Sequence, residues 1–477
     1  MPNLEHVKVL LSAGWNDWRV ANKNVTPDLT DANLVGADLT GKDLKRADLS
    51  RADLTKATLT GTDLTRATLA GTRVTGISAA GAIFEHCNLD GMILTKIFLA
   101  GAKFRAASLQ GANLSGADLA AADLFAVRLD GADLTGANLA GANLAEVNFR
   151  GVKTTGAQFD GTNLTNAIFE GVKAIQGSFP NADFTGAQLK SADFSGADLR
   201  RAKFHKTALR QTALNAADCE RADFTEADLE MASCVETNFQ GARLDRARFR
   251  KADLKRASLL DATATEVSFA ECRLTEVDLR GVKFEKANFQ MADLTKALLH
   301  RANLKPFSFA GARFAGTDAT ECQAEGVNFV KADLSLGNFR QANLRRANFT
   351  EARGLEADLS GTMLVGANFT RAFLQDADLR FSRAMGADFT GAVLSGADLA
   401  NADFSEAVFK NTNVWGATAH KAKAPRGKGL LFSLSTMFSK AKEKKEKTEG
   451  AKDRQRQRKI AELEAEADKR PPHRTKR

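Results

Sequence analysis

The sequence predicts an all-β solenoid, a chain wound into stacked, four-sided coils. Two observations lead to this prediction: a large apolar residue recurs at every fifth position, and its identity is patterned again at every twentieth. The period of five starts at Leu29 and runs without insertion to Val414, which gives 78 positions, of which 42 are Leu and 24 are Phe. We call these positions centres. The residue before a centre is most often Asp or Asn, and the residue two before it is usually Ala.

A period of five excludes a continuous helix or strand. Every fifth residue would wander around a helix that advances about 100° per residue, and it would alternate between the two faces of a strand. The chain must therefore turn once per pentad, so that every centre points to a common axis. Four turns would close a coil of 20 residues, and one column of centres spaced by 20 supports this number because all nine of its members are Phe. They are Phe249, Phe269, Phe289, Phe309, Phe329, Phe349, Phe369, Phe389 and Phe409.

A few features depart from the regular pattern. Eight centres are small or polar, namely Ala79, Thr154, Ala174, Ala264, Ala319, Ala324, Gly354 and Ala384. Gly is common two positions after a centre, where a corner can need a positive φ. Lys and Arg also occur at that position, so we do not expect every corner to require Gly.

The stretch GADLTGANLAGANLAEVNF, at residues 131–149, carries the repeat in its purest form. Its A-[DN]-[LF]-x-x pattern resembles the pentapeptide-repeat family, and the resemblance covers residues 29–417. It implies a right-handed quadrilateral β-helix, here of 19–20 coils. Such a fold offers a rigid surface and no cleft. We therefore expect a non-catalytic scaffold for protein–protein interaction and not an enzyme.

The ends of such a solenoid need caps, because an open coil exposes unpaired backbone groups. Residues 1–28 are predicted to form a short N-terminal helical cap, in which Trp15 and Trp18 cover the first coil. Their W-N-x-W-R context resembles a leader of other pentapeptide-repeat proteins. Trp415, at the last coil, is expected to cap the opposite end.

The C-terminal segment differs in composition from the repeat. Residues 418–477 hold 19 Lys and Arg against 8 Asp and Glu, so the net charge of +9 comes from this segment, while residues 1–417 carry about −2. We predict a basic linker at 418–429, an amphipathic basic helix at 430–447, and a polar charged helix with a disordered end at 448–477. The helix at 430–447 combines an apolar stripe with a lysine cluster, comprising Leu430, Leu434, Met437, Phe438, Lys440, Lys442, Lys444 and Lys445.

Two interpretations of this helix stay open. An apolar face beside a cluster of lysines is typical of a helix lying on an anionic membrane surface. The same helix can instead dock on the last coil as a C-terminal cap. The protein is expected in the cytoplasm, peripheral to the inner membrane face if the helix binds lipid, because neither a signal peptide nor an apolar run of about 20 residues occurs.

A candidate partner patch lies towards the C-terminal end of the repeat. Four of the eight exceptional centres fall between residues 319 and 384. In the same segment several outward positions are apolar, namely Val330, Leu336, Leu355, Val365, Phe381 and Met385. Val365 and Met385 are 20 residues apart and are expected to stack, with Phe381 near the adjoining corner. Exposed apolar clusters often mark partner sites; loosened coils that tolerate stray apolar residues are an equally good explanation.

Catalytic, metal and cofactor sites are not indicated. The five cysteines occupy inward positions of the repeat and are expected to be buried and reduced, and the six histidines share no metal-type spacing. The family resemblance implies one alternative function, a DNA-mimicking regulator of DNA gyrase or of another DNA-handling enzyme. That function requires a strongly acidic surface, since DNA carries about one charge per 1.7 Å. The near-neutral repeat disfavours DNA gyrase as a partner, and the partner protein and the oligomeric state stay open.

Overall fold

A computed structural model describes residues 3–423 and residue 425. The chain divides into two compact units, Met1–Ser233 and Cys234–Arg477, and each is described by itself. The predicted helix at 430–447, the segment 448–477 and most of the linker beyond Lys423 lie outside the described residues.

Parallel pairing between residues 20 apart builds both units. In the first unit Asn33 pairs with Asp53, and in the second Asn348 pairs with Asn368. Each pentad contributes one such residue, so four sides complete a coil. Within the described part of the chain, two segments extend into short strands: β1 (Thr263–Thr265) and β2 (Lys283–Glu285), which pair in parallel with Ala264 opposite Phe284. The predicted solenoid with a 20-residue coil is confirmed.

The backbone of each side bonds to both neighbouring coils. Leu39 N–H donates to Thr58 O in the following coil (2.8 Å), and Thr58 N–H donates back to Ala37 O (2.9 Å). This pattern recurs pentad after pentad. A coil therefore satisfies its buried polar groups only by having a coil above and a coil below it.

A β-turn with a positive φ makes each corner. Ala37 N–H donates to Leu34 O (3.0 Å), which closes the turn, and Gly36 inside it has φ of 66°. Corner residues with side chains adopt the same region, with φ of 61° at Lys56 and 54° at Arg346. The corner thus requires the left-handed conformation whichever residue stands there, and non-glycine residues adopt it at a cost of about 1–2 kcal/mol.

The Asp or Asn before each centre holds the corner that follows. Asp38 Oδ1 accepts a hydrogen bond from Thr40 N–H (3.0 Å), and Asn163 Oδ1 accepts one from Thr165 N–H (3.1 Å). Only a short side chain with a carbonyl-type oxygen reaches its own backbone two residues on. This contact explains why the motif alternates between Asp and Asn and rarely admits Glu or Gln.

Asp403 gives a pH-dependent test of this contact. Its carboxylate accepts hydrogen bonds from Ser405 Oγ (2.6 Å) and Ser405 N–H (3.0 Å) and lies 3.1 Å from Lys423 Nζ. These hydrogen bonds from Ser405, helped by Lys423, lower the pKa of Asp403 to about 2. Since an unfolded Asp has a pKa of about 3.9, the stabilisation is complete above about pH 4 and is lost as the pH falls towards 2.

We therefore expect Ser405 N–H to lose protection from hydrogen exchange between pH 4 and pH 2 in the wild-type protein. In the Asp403→Asn variant, which keeps the accepting oxygen but not the charge, protection should not change over that range once intrinsic exchange is corrected. Mass-spectrometric exchange of peptides spanning this corner measures the difference. Identical pH profiles for the two proteins would contradict the assignment.

Stacked aromatic rings fill one side of the interior of the second unit. The column of nine Phe centres is confirmed, and the ring centroids of neighbours lie between 4.4 and 5.5 Å apart. Phe349 and Phe369 are the closest pair, with parallel rings, and both are fully buried. At the exceptional centre Gly354, Leu374 Cδ2 occupies the space, because a Cβ on Gly354 would lie only 2.7 Å from it. That coil is filled and not loosened.

The small inward position admits groups that can donate to the backbone. Thr62 Oγ1 donates to Leu39 O in the preceding coil (2.7 Å), and Cys272 Sγ contacts Phe249 O at the same separation of 23 residues (2.7 Å). All five cysteines are free and buried, as expected. Burial raises the pKa of the Cys87 thiol to about 12, so this thiol is not reactive near neutral pH.

Two short helices precede the first coil. Helix α1 (Leu4–Leu10) is capped by Asn3, and helix α2 (Trp15–Ala21) packs its buried face on the solenoid. Trp15 is fully buried, and its Nε1–H donates to Asp43 O (2.8 Å). Neither these helices nor any other described part of the chain is long and apolar enough to cross a membrane.

Candidate interaction surface

Outward side chains of each unit stand in columns with a 20-residue period. The paired residues Asn343, Met363 and Arg383 illustrate a column along one side of the second unit. The corners form further columns, because the backbone of each corner bonds to the corner of the next coil. A surface of this protein is therefore a set of neighbouring columns whose spacing is fixed by the backbone.

Three of the predicted patch residues come together. Arg346 N–H donates to Val365 O (3.0 Å) and Gly366 N–H to Met385 O (2.9 Å), so Val365 and Met385 stand in one corner column. Phe381 lies at the other corner of the side that ends at Met385. The side chains of Phe381 and Met385 are 61% and 43% exposed, and Val365 is half-buried. The expected stacking of Val365 on Met385 and the position of Phe381 agree with the structure.

The other three predicted patch residues do not join them. Leu355 is exposed and Val330 half-buried, but both follow centres on other sides of the coil. The expectation that Leu336 faces outward is wrong, since its side chain is only 3% exposed. Its N–H donates to Leu355 O (2.9 Å), so this corner lies against an apolar residue of the next coil. Packing between coils removes the leucine from water at a gain in free energy.

The three tryptophans have different environments. Trp15 is buried and stacks on the half-buried Trp18, with ring centroids 5.1 Å apart. The expectation that Trp415 covers the last coil is wrong, because its side chain is 77% exposed. Trp415 occupies a corner directly after the centre Val414, and corner side chains point away from the axis.

The predicted membrane or docking residues have no structural description. They all lie outside the described residues, and they are Leu430, Leu434, Met437, Phe438, Lys440, Lys442, Lys444 and Lys445. Their role remains a prediction.

Opposite charges alternate along several corner columns. In the second unit Arg256 lies between Glu236 (3.4 Å) and Glu276 (3.0 Å) of the flanking coils. Arg301 pairs with Glu321 in the same way (2.8 Å). Such exposed pairs contribute little stability each, typically less than about 1 kcal/mol, but they cancel the charge of the columns that contain them.

A second arrangement pairs an arginine with the Asp two residues before it. Arg200 clamps Asp198 in the first unit, and Arg280 clamps Asp278 in the second (Nη2–Oδ2, 2.7 Å). The hydrogen bond from Arg200 holds the pKa of Asp198 below its ordinary value. An arginine just after a centre is therefore neutralised locally whenever Asp precedes that centre.

Sequence analysis missed several exposed residues. Large apolar side chains replace Asp or Asn before the centre at Ile93, Phe98, Phe373 and Val408 and are 44–69% exposed. It also missed the arginines around Met385, because they were not sorted by whether an acid stands two residues before or 20 residues away. Both signals are readable from the sequence once the outward columns are known.

The described residues offer little for chemistry. Within residues 3–423 no group of three or more His, Cys, Asp or Glu side chains is placed to hold a metal ion. An apolar pocket between coils of the first unit is lined by interior side chains between Leu54 and Phe104, with no polar group among them. It therefore lacks the convergent polar groups that orient a substrate.

Comparison with protein families identifies the repeat. The family described as "Pentapeptide repeats" matches in overlapping segments, and a second family, "Pentapeptide repeat region", matches residues 232–309. The first set of matches covers residues 28–66, 62–99, 82–120, 128–166, 142–179, 167–205, 202–233, 297–335, 308–346, 337–371, 356–391 and 387–423. The chain belongs to the pentapeptide-repeat family.

Solved pentapeptide-repeat proteins are similar to this chain. HetL, involved in heterocyst differentiation regulation in the cyanobacterium Nostoc sp. strain PCC 7120, is 26% identical, covering 59% of this chain and 93% of its own, with a TM-score of 0.21. QnrB1, a plasmid-mediated fluoroquinolone resistance protein, is 18% identical, covering 41% of this chain and 92% of its own, with a TM-score of 0.24. At these TM-scores the likenesses carry no argument about function. No curated protein matches the chain.

Proposed function

We propose that this pentapeptide-repeat protein is a non-catalytic scaffold for protein–protein interaction, built as a right-handed quadrilateral β-helix in the cytoplasm. The observation that carries the proposal is the regular set of outward columns. Corner backbones are held by the turn bond and by the Asp or Asn side chain, so the outward positions are fixed before a partner arrives. Such preorganisation lowers the entropic cost of binding.

Exposed apolar side chains support a protein partner over a small molecule. Phe381 and Met385 stand on the two ends of one side, where they are more than two-fifths exposed. Small-molecule sites are concave and enclose most of their ligand, whereas these residues project from a flat row. An exposed aromatic and a methionine are typical of the centre of a protein interface.

The alternative, a DNA-mimicking regulator of DNA gyrase or of another DNA-handling enzyme, has weaker support. Mimicry needs a dense and continuous negative stripe. In the second unit the acidic corner residues are interleaved with basic ones and pair with them, as Lys251 does with Glu271 (3.6 Å) and Lys286 with Glu266 (3.2 Å). This pairing interrupts the stripe that a DNA mimic requires.

We further propose that the segment 430–447 holds the scaffold at the inner face of a membrane. Its apolar stripe supplies one binding signal and its lysines supply a second, and two signals are what stable membrane binding requires. Docking of the same segment on the last coil remains the competing role, and the two roles predict different results.

Co-sedimentation with vesicles tests the tether. The full-length protein should pellet with phosphatidylserine-containing vesicles at low salt and stay in solution with phosphatidylcholine vesicles. A full-length variant with Lys440, Lys442, Lys444 and Lys445 changed to Glu should bind the anionic vesicles at least about 100-fold more weakly, since each lysine contributes about 1 kcal/mol. Equal sedimentation of the two proteins, or none by either, would exclude the tether and favour docking on the last coil.

A further inference from the structure

We propose that one surface of the second unit binds an acidic protein segment that also carries apolar side chains. This surface, the Arg345 surface, consists of Arg340, Arg345, Arg346, Phe381, Arg383 and Met385. The proposal rests on the scaffold function and adds the location of the partner site and the chemistry of the partner.

The backbone brings these residues onto one side of three consecutive coils. The bonds from Arg346 N–H to Val365 O and from Gly366 N–H to Met385 O align Arg345, Val365 and Met385 in a single corner column. Arg383 stands on the adjacent side, one pairing after Met363. Arginines therefore surround an apolar strip, and every member of the Arg345 surface is exposed.

Arg340 and Arg345 lack the carboxylate that neutralises arginines at the same position elsewhere. Arg280 and Arg380 follow Asp278 and Asp378 and clamp them, at 2.7 and 2.5 Å. The corresponding residues before Arg340 and Arg345 are asparagines, whose Oδ1 atoms accept only the arginine backbone N–H. Their neighbours in the next coil are a serine and a valine, so neither guanidinium forms an ion pair within residues 3–423.

Acids near the Arg345 surface are already occupied. Glu325, one coil before Arg345, pairs with Lys305 (3.4 Å), and Asp403, one coil after Arg383, pairs with Lys423 (3.1 Å). Arg346 stands between glycines in its own column. Arg346 and Arg383 thus also have no ion-pair partner in the described part of the chain. Four uncompensated cations on one side contrast with the neutralised columns elsewhere.

Charge selects the occupant. The basic C-terminal segment of this chain, with a net charge of +11 over residues 418–477, would be repelled by the arginines. A second copy using the same surface would oppose arginine to arginine. An acidic segment complements the four guanidiniums, and its apolar side chains would cover Phe381 and Met385.

The apolar strip favours protein over nucleic acid. Single-stranded nucleic acid binds on successive aromatic rings, each stacking a base. The Arg345 surface offers one ring, Phe381, and otherwise aliphatic groups such as Met385. Aliphatic groups pack well against leucine or phenylalanine side chains and offer no stacking face for a base.

Substitutions taken from the chain itself can remove each part of the Arg345 surface without disturbing the fold. Asn338→Asp with Asn343→Asp should recapture Arg340 and Arg345, as Asp278 captures Arg280, while leaving both arginines in place. Phe381→Asn copies Asn401, the next residue in its column, which has φ of 60° against 58° at Phe381.

Two further changes complete the set. Arg345→Glu with Arg346→Glu reverses charge, and Glu406 already adopts φ of 62° in the column of Arg346. Matched controls lie on other sides of the coil: Asn288→Asp with Asn328→Asp adds the same charge, and Phe373→Asn removes an equally accessible ring.

The experiment is selection of 12-residue peptides from a phage-display library on the full-length protein, followed by fluorescence anisotropy with the enriched peptides. We expect enrichment of peptides that combine Asp and Glu with Leu or Phe. Each of the three variants of the Arg345 surface should weaken their binding about tenfold or more, and both controls should leave it within about twofold. Added salt should weaken binding to the wild-type protein.

Other outcomes would overturn the proposal in distinguishable ways. Enriched peptides that are not acidic, or that respond to the controls and not to the Arg345 surface, would refute this site and leave the scaffold function standing. Enrichment of no peptide at all would count against both. Tight binding of a 20-nucleotide single strand, lost in the same three variants and competing with the peptides, would replace the acidic protein by a nucleic acid.

Discussion

Replacing Phe369 by Ala should lower the free energy of unfolding of the region around it by about 3–5 kcal/mol. Phe369 is fully buried, and its ring stacks between Phe349 at 4.4 Å and Phe389 at 4.9 Å. The change leaves a cavity that touches both neighbouring coils, and a close-packed interior relaxes only partly around it. Urea unfolding followed by circular dichroism measures the loss.

Two variants bracket this result. Phe369→Leu places the other common centre residue in the column and should cost less than about 1.5 kcal/mol. Phe381→Asn removes an exposed ring and should change stability by no more than about 0.5 kcal/mol. If Phe369→Ala were as mild as Phe381→Asn, the stacked column would not be what holds these coils together.

Replacing Trp15 by Ala should detach the two N-terminal helices, with a local cost of about 3–5 kcal/mol. The ring is fully buried, and its Nε1–H bonds to Asp43 O. Arg19 adds hydrogen bonds to Val25 O (2.9 Å) and Lys45 O (3.1 Å) that depend on the same docking. Helices of seven residues do not persist alone in water, so their contact with the first coil is what keeps them folded.

Hydrogen exchange of the first coils measures this effect. We expect faster exchange in residues 28–63 of the Trp15→Ala protein and no change in the second unit. Trp415→Ala is the matched control, because it removes the same side chain from a position that is 77% exposed. Exchange that rises equally in the two variants would show that burial of Trp15 does not protect the first coils.

The regular part of the fold could be predicted from the sequence because it follows from one constraint. A centre at every fifth residue, with Phe recurring at every twentieth, leaves only a four-sided coil, and the parallel pairing of residues 20 apart agrees with it. The burial of the cysteines followed from their inward positions in the same way.

The outward residues were harder to predict because their environment depends on neighbours in the coils above and below. Leu336 was expected outside and is buried, while Trp415 was expected over the last coil and projects into solvent. In both cases the period gave the side of the coil but not the direction of a corner side chain. The free arginines at 340 and 345 became apparent only when the clamp of Asp378 by Arg380 showed what an aspartate at 338 or 343 would have done.

The two periods of the fold restrict how its length can change. Within one unit, removal or gain of 20 residues moves a downstream binding surface by one coil, about 4.8 Å along the axis, and keeps it on the same side. A change of five residues keeps every centre in the interior but turns everything downstream by a quarter revolution. The Arg345 surface would then face another direction relative to upstream columns, with its own chemistry intact. Gene variants that differ by whole pentads can therefore reorient a partner without altering a single contact residue.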